Sequence, residues 1–577
     1  MRMTQISKEH KVAIILALLL SAVSAFPQVY FRIDHNDINQ GIELLPDSPW
    51  SPRVREVQDG HPNFGSIYYK DGKDLPYLHQ PLPSMVVAYM GEIFSLDINN
   101  TLLLSRLLLS FVVFFLIYGF VLLFSKDKFI ALASASLLLF ADSILSFSGL
   151  SALLHGLSPD SFLRLSRPVN PAMIYILLFG FLIPFWKFYN ERKWKYGILS
   201  AIVLGLNFHS YFYSWTYLYA FGGLLVLTIL FRKRWKEALR IGSVFVGGLV
   251  VAIPYVINLH RVSSFPTYEE AGIRLGIILT HGPLFTGFFV ILALAFFLIF
   301  FPRENKEKYV FALGLLLTPF ITMNQQILTG KIMQADHYHW FFHKPLGVIL
   351  VLMTLSYLML RHGWEKYRKI FFMIVVVISV GTGVFVQTHS YFYDKRDGGQ
   401  VAIERQKYGP VMDWLNTNAT KEAVVLGNDE TSHLTVIYTP LNVFYHRAGY
   451  ASLVATKERL LDSIFTFYRL RGVEARDAKE IFFQERDYIS ANIYGIYYRK
   501  LLGDYGDIPD DKIEEILSLY QQELKTASSP WLENILLKYN VEYLVWDKKG
   551  DPSWDLDKYR FLSKVAEFGD LVIYHKI

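Results

Sequence analysis

The chain contains no cysteine in its 577 residues, which excludes disulfides, a thiolate nucleophile and any cysteine-ligated zinc. Its C-terminal third carries no GxGxxG, Walker A or GxSxG signature, so the usual dinucleotide, nucleotide and serine-hydrolase chemistries find no support there. No internal repeat and no low-complexity tract occurs. Charged residues make up only 19% of the chain, and the net charge of +6 falls in short bursts between apolar runs. That pattern excludes a nucleic-acid surface, which needs its cations gathered on one face. The bursts act as orientation signals instead.

What the sequence has in quantity is apolar length. Hydrophobic residues make up 52% and aromatics 16%, concentrated before residue 390 in runs near the length that crosses a hydrocarbon core of roughly 30 Å. The runs lie at 12–31, 102–125, 129–147, 171–189, 196–210, 213–231, 239–258, 276–301, 308–323, 344–360 and 369–387. They predict a mostly α, polytopic transmembrane helix bundle of about eleven spans. The first run also contains Ala22-Val23-Ser24-Ala25, which has the form of a signal-peptidase site; the apolar character continues through Phe31, favouring a retained helix. Lys126/Lys128, Lys187 to Lys195, Arg232 to Arg240, Arg303 to Lys308 and Arg361 to Lys369 all fall on one side of this alternation. The positive-inside rule makes that side, and the N-terminus, cytoplasmic. An odd number of spans then places residues 391–577 outside, on the side of the long loop 31–100.

Residues 391–577 alternate strand and helix signals. Short strands are expected at 423–427, 541–546 and 570–574, with helices near 411–415, 455–475 and 511–538. The rhythm predicts a small α/β domain with a partly parallel sheet.

The outer loops hold nearly all the polar chemistry. The first contains Asp34, Asp37, Asp47, Arg53 and His61; the second contains His155, Asp160, Arg164 and Arg167; the last contains Lys331 and the run Asp336-His337-Tyr338-His339-Trp340, with His343 and Lys344 beyond it. Carboxylates from two loops, Asp47 and Asp160, are able to hold a divalent cation such as Mg or Mn through oxygen. Arginine pairs bidentately with phosphate, and a carboxylate or histidine takes a proton from an attacking hydroxyl. This set suits the transfer of a phosphate-linked group at the lipid–water boundary. Arg164 and Arg167, three apart, share one face if 160–167 is helical, and would there hold a phosphate or anchor to headgroups. The Asp336 to His343 run reads as a metal chelate, a phosphate contact with Lys331, or a polar interfacial loop. Asp142 lies at the outer end of the third run, either as a functional intramembrane carboxylate or as a helix-end group reaching headgroup water.

The stretch from Asp47 to Pro62, with Arg53 six residues after Asp47, resembles the first outer loop of GT-C type glycosyltransferases. It is distantly similar to the oligosaccharyltransferase catalytic subunit and its bacterial relatives. The Trp-Trp-Asp-Tyr-Gly motif of true oligosaccharyltransferases is absent, so the resemblance extends to the superfamily and not to that activity. It implies a GT-C-like bundle at 1–390 and a membrane-embedded hexosyl- or pentosyltransferase. Such an enzyme takes a sugar from a polyprenyl-phosphate donor and passes it to a glycan, lipid or protein acceptor of the envelope. The first-loop aspartate as base or metal ligand then falls on Asp47, with Asp34 and Asp37 as alternatives. Arg53, Arg164, Arg167, Lys331, His337 and His339 become the donor contacts. Two other classes stay open: a transporter or flippase, whose cavity would lie at the bilayer midplane, and a non-catalytic membrane protein that binds through its outer domain.

Overall fold

The computed structural model describes residues 10–44, 49–284, 287–495, 497–501, 508–526 and 530–577. Each of the eleven apolar runs becomes a helix, but not all become full spans. Among the described residues, seven helices are long and apolar enough to cross a membrane: Lys11–Asp34, Ile98–Ser125, Ala172–Glu191, Phe212–Phe231, Lys306–Thr329, Asp336–Arg361 and Glu365–Tyr393. The pair Trp235–Val251 and Ile253–Ser263 has that length and apolarity only when taken together, as a broken span or a re-entrant segment, and is bent by 55° at Ala252, where Pro254 in the first turn of the second segment cannot donate back into the first. The other three runs are the shorter helices Lys128–Phe140, Trp194–Phe208 and Phe288–Phe300.

Two of the short helices have local causes. The run 129–147 stops at Phe140, because Ala141 leaves helical geometry and Asp142 starts a separate 3-10 turn. The run 276–301 is not one element. Ile277–Leu279 pairs antiparallel with Lys331–Met333 as a small hairpin, and the helix begins only at Phe288.

Helix ends on the basic side are set by local polar chemistry. Lys126 adopts a left-handed conformation that ends Ile98–Ser125. Asp127 then caps Lys128–Phe140 by accepting from the Phe129 and Ile130 amides at 2.8 and 3.3 Å, satisfying donors that the first helical turn leaves open. The basic bursts meet one another here. Arg368 pairs with Asp127, and Glu307 accepts from Tyr189 at 2.7 Å and from Arg234 at 2.8 Å. His10 reaches the Tyr118 hydroxyl at 2.7 Å on the same side.

The opposite face carries the C-terminal α/β domain. Its five strands run in the order Asn442–Val443, Val424–Leu426, Val541–Asp547, Leu571–Lys576, Leu562–Phe568. The first three are parallel and the last two add antiparallel. The expected strands and helices are present; within 511–538 the described helices are Asp510–Thr526 and Trp531–Lys538. The strand Leu562–Phe568 and the helix Asp429–Tyr438 have no counterpart in the sequence-based expectation.

The long first loop is itself folded and is fastened to this domain. It forms the helices Trp50–Gln58 and Leu82–Ile93. The Val443 amide donates to the Tyr68 carbonyl at 2.9 Å, extending the sheet edge. Tyr68 stacks on His446 at 4.0 Å, the Glu43 amide donates to the Tyr438 hydroxyl at 3.0 Å, and Arg459 pairs with Asp71 at 3.0 Å. The first loop and the C-terminal domain therefore share one side of the bundle, and the basic loops share the other. If the basic side is cytoplasmic, as the positive-inside rule predicts, a reporter that is active only outside the cytoplasm should be active when fused after Ile577. Cytoplasmic activity of that fusion would reverse the orientation of every outer group described below.

Candidate functional site

A cavity of about 260 Å³ opens where three helix ends meet on the domain-bearing side; it is lined by Asp160, Arg164, Arg167, His337, Trp340 and Phe341, with Ser161, Phe162 and Leu163 completing the wall. The backbone that supplies the first half of this wall is fixed from below. Buried Arg106 donates through Nε to the Ser166 carbonyl at 2.7 Å. Gln387, on the last span, accepts from the Leu163 amide at 2.9 Å and donates to Ser166 Oγ at 2.7 Å and to the Val23 carbonyl at 2.9 Å. Three helices thus hold one irregular segment, so its shape does not depend on regular secondary structure.

Residues 160–167 are not a continuous helix. Only Arg164–Ser166 forms a 3-10 turn. In that geometry three residues complete one turn, and Arg164 and Arg167 both face the cavity although the α-helical premise fails.

Beneath the cavity lies an ion cluster centred on Asp142. Its carboxylate is 3.2 Å from Arg164 Nη2 and 3.1 Å from Lys344 Nζ, and Lys344 also donates to the Asp142 carbonyl at 2.7 Å. The Trp340 ring lies 4.5 Å from the Arg164 guanidinium and 4.7 Å from Lys344 Nζ. The tryptophan therefore shares both cations with the carboxylate, an arrangement favoured by its electron-rich face. Asp142 is engaged in an ion cluster and does not extend toward headgroup water. A second, nearly closed void of about 20 Å³ separates Asp142, Asp160 and Tyr175, large enough for about one water molecule.

Asp160 sits at the junction of the two spaces. Burial pushes its carboxyl above the ordinary range, while the charges of Arg164 and Arg167 and a hydrogen bond from the Ser161 amide at 3.0 Å pull the other way. A carboxyl so placed holds its proton to a higher pH than a solvated aspartate does.

Of the residues singled out in the sequence, Asp160, Arg164, Arg167 and His337 come together in this cavity. Asp47 lies outside the described residues. Asp34 and Asp37 are exposed, with Asp34 3.6 Å from His35, and they do not line the cavity. Arg53 lies on Trp50–Gln58 with its guanidinium 4.8 Å from the Trp50 ring, beside Tyr68 rather than at the cavity wall. Lys331 is exposed on the small hairpin. His339 turns its ring against Trp340 at 5.3 Å and is not part of the lining. Reading the sequence alone missed Trp340 as a cation partner, and Arg106, Gln387 and Tyr211 altogether. Their only sequence signal is a polar group inside or at the end of an apolar run.

The divalent cation expected between Asp47 and Asp160 involves a residue outside the described ones, since Asp47 is not among them. Among the described residues, no three histidine, aspartate or glutamate side chains gather as a ligand group. Asp142 is matched to Arg164 and Lys344, and Asp160 faces Arg164, which the two share, and Arg167.

No family model and no curated protein matches the chain. Two crystal structures of ArnT from Cupriavidus metallidurans align with it over 99% of this chain and 98% of theirs, each with a TM-score of 0.46. One, bound to undecaprenyl phosphate, is 12% identical; the other, in the apo state, is 11% identical.

The ion cluster makes a stability prediction. Lys344 is 3% exposed in its side chain, so Asp142→Asn leaves a buried cation without its counter-charge, a change that costs about 3–5 kcal/mol. Thermal unfolding of the detergent-solubilised protein should show a large drop in Tm. Adding Lys344→Met should recover much of it. An unchanged Tm in the single variant would remove the cluster from the stability of the fold.

Proposed function

We propose that this chain is an integral-membrane glycosyltransferase of the GT-C type. It would move a sugar from a polyprenyl-phosphate donor to an envelope acceptor at the outer membrane face. The observation that carries this reading is the joining of Arg164, Arg167, Asp160 and His337 in one cavity walled by Phe162, Trp340 and Phe341. Such a space offers cations to a phosphate and aromatic faces to a sugar or an isoprenoid tail. Its position at helix ends, rather than midway along helices, fits a substrate drawn from the bilayer better than a transport site at the midplane.

The chemistry is a displacement at the sugar's anomeric carbon. The bond from that carbon to the donor phosphate oxygen breaks, and a bond to an acceptor oxygen forms. The acceptor proton passes to a carboxylate, and the polyprenyl phosphate leaves with its charge opposed by arginine. The resemblance of the first loop assigns the base to Asp47. Asp160, whose carboxyl burial raises, is the acid–base group within the cavity itself. Arg164 and Arg167 hold the phosphate.

The test is transfer from radiolabelled polyprenyl-phosphate sugars to envelope acceptors. Asp47→Asn should lower transfer by at least about 10²-fold, the usual loss for a positioned base. Full activity there, with loss in Asp34→Asn or Asp37→Asn, would move the base to the start of the loop. Arg167→Lys keeps the charge but loses the planar fork. It should weaken the donor interaction by about 10- to 150-fold, the equivalent of roughly 1.5–3 kcal/mol for a charged hydrogen bond. Parent-level transfer in both Arg164→Lys and Arg167→Lys would exclude these residues as the phosphate site.

A further inference from the structure

His337 is the one cavity-lining residue whose chemistry depends on which ring nitrogen carries the proton, and the structure surrounds it with groups that decide this. It lies on the single helical turn Asp336–Tyr338 that leads into a π-turn, His339–His343. Its ring is enclosed on several sides: Tyr213 at 4.8 Å, Phe341 edge-on at 5.8 Å, and Tyr211 nearly parallel at 5.9 Å. Tyr211 precedes the helix Phe212–Phe231, and its hydroxyl is hydrogen-bonded to His337 Nδ1. The Tyr213 hydroxyl is buried and makes no hydrogen bond, so it does not compete for that nitrogen. Nε2 makes no hydrogen bond to any described residue.

We infer that Tyr211 is a positioning residue: its hydroxyl donates to Nδ1 and so locks His337 in the tautomer whose Nε2–H points its hydrogen at the phosphate of the lipid-linked donor. A neutral imidazole has one donor and one acceptor nitrogen. A phenol is a good donor and a poor acceptor, because its oxygen lone pair is delocalised into the ring. The imidazole nitrogen without hydrogen is the stronger acceptor of the two groups. The pair therefore settles with Tyr211 donating, and the imidazole proton resides on Nε2. Beside Arg164 and Arg167 this adds a neutral, directional donor to two charged ones. It strengthens phosphate binding without adding a third charge. Second partners that fix the tautomer of a functional histidine act in this way.

The inference rests on the proposed donor site, and the experiment separates the two. Undecaprenyl phosphate is titrated into the detergent-solubilised full chain, followed by intrinsic fluorescence, with Tm measured in parallel. Tyr211→Phe keeps the ring and removes the hydroxyl. It should bind about 3- to 10-fold more weakly, the scale of one neutral hydrogen bond, at unchanged Tm. In His337→Gln the amide nitrogen stands where Nε2 stood, and binding should stay within about threefold of the parent. In His337→Asn the amide nitrogen stands where Nδ1 stood, and binding should fall by roughly 10-fold or more, as for a lost hydrogen bond to a charged group. Because the glutamine needs no tautomer, Tyr211→Phe should have no further effect in the His337→Gln background. Parent-like binding by Tyr211→Phe, equal binding by the glutamine and asparagine variants, or an undiminished Tyr211→Phe effect on top of His337→Gln would each overturn the inference. If Tyr211→Phe fails to fold, the glutamine–asparagine comparison decides alone. If the parent itself does not bind undecaprenyl phosphate, the donor-site reading falls first and this inference falls with it.

Discussion

The outer end of the bundle depends on the pairing of Asp142 with Arg164 and Lys344. A lysine this deeply buried keeps its charge only beside a fixed counter-charge. Here one carboxylate provides it, a backbone carbonyl adds a second acceptor, and Trp340 shares the load as an aromatic surface. Arg164 lies in the irregular segment after Asp160 and Lys344 on the span Asp336–Arg361, so the cluster ties a loop and a span to the broken end of Lys128–Phe140.

The same constraint shapes what lies above. The wall from Asp160 to Arg167 has almost no regular structure, so its backbone groups need partners from elsewhere. Arg106 and Gln387 supply them from inside two long spans. A polar side chain in a membrane helix is costly unless it is satisfied, and these two are satisfied by the loop they hold. On the far side of the cavity, Tyr211 fixes His337. The lining residues thus stand on a rigid support of buried polar contacts, as a site that orients a charged ligand requires.

The sequence made the bundle legible because the signal for a membrane helix is local: each run carries its own length and composition. The five basic bursts were legible in the same local way, and members of four of them meet on one side of the bundle, Arg368 with Asp127 and Arg234 with Glu307. Long-range polar pairing was not legible. Nothing at position 142 names Lys344, 202 residues away, and nothing in 276–301 announces that Ile277–Leu279 pairs with Lys331–Met333. The strand Leu562–Phe568 escaped notice because it is an edge strand with much of its surface exposed, and so lacks the apolar run that revealed Val541–Asp547. In the candidate site, the charged members of the cavity were visible as loop residues of the right type. The aromatic and amide groups that hold them were not, since tyrosine, tryptophan and glutamine at a helix end look the same whether they anchor in the interface or support a site.

Cations and carboxyls meet at the cavity in equal number. Arg164, Arg167 and Lys344 bring three positive charges; Asp142, Asp160 and Asp336, whose charge reaches His337, bring three carboxyls. Burial works against the second of these, since it raises the Asp160 carboxyl toward its neutral form. An anion approaching the arginines makes ionisation of Asp160 harder still. On the function proposed above, proton uptake by Asp160 and phosphate binding by the arginines are coupled through the same few ångströms: the bond from the anomeric carbon to the donor phosphate breaks, the freed polyprenyl phosphate gains negative charge, and a carboxylate beside it takes up a proton more readily.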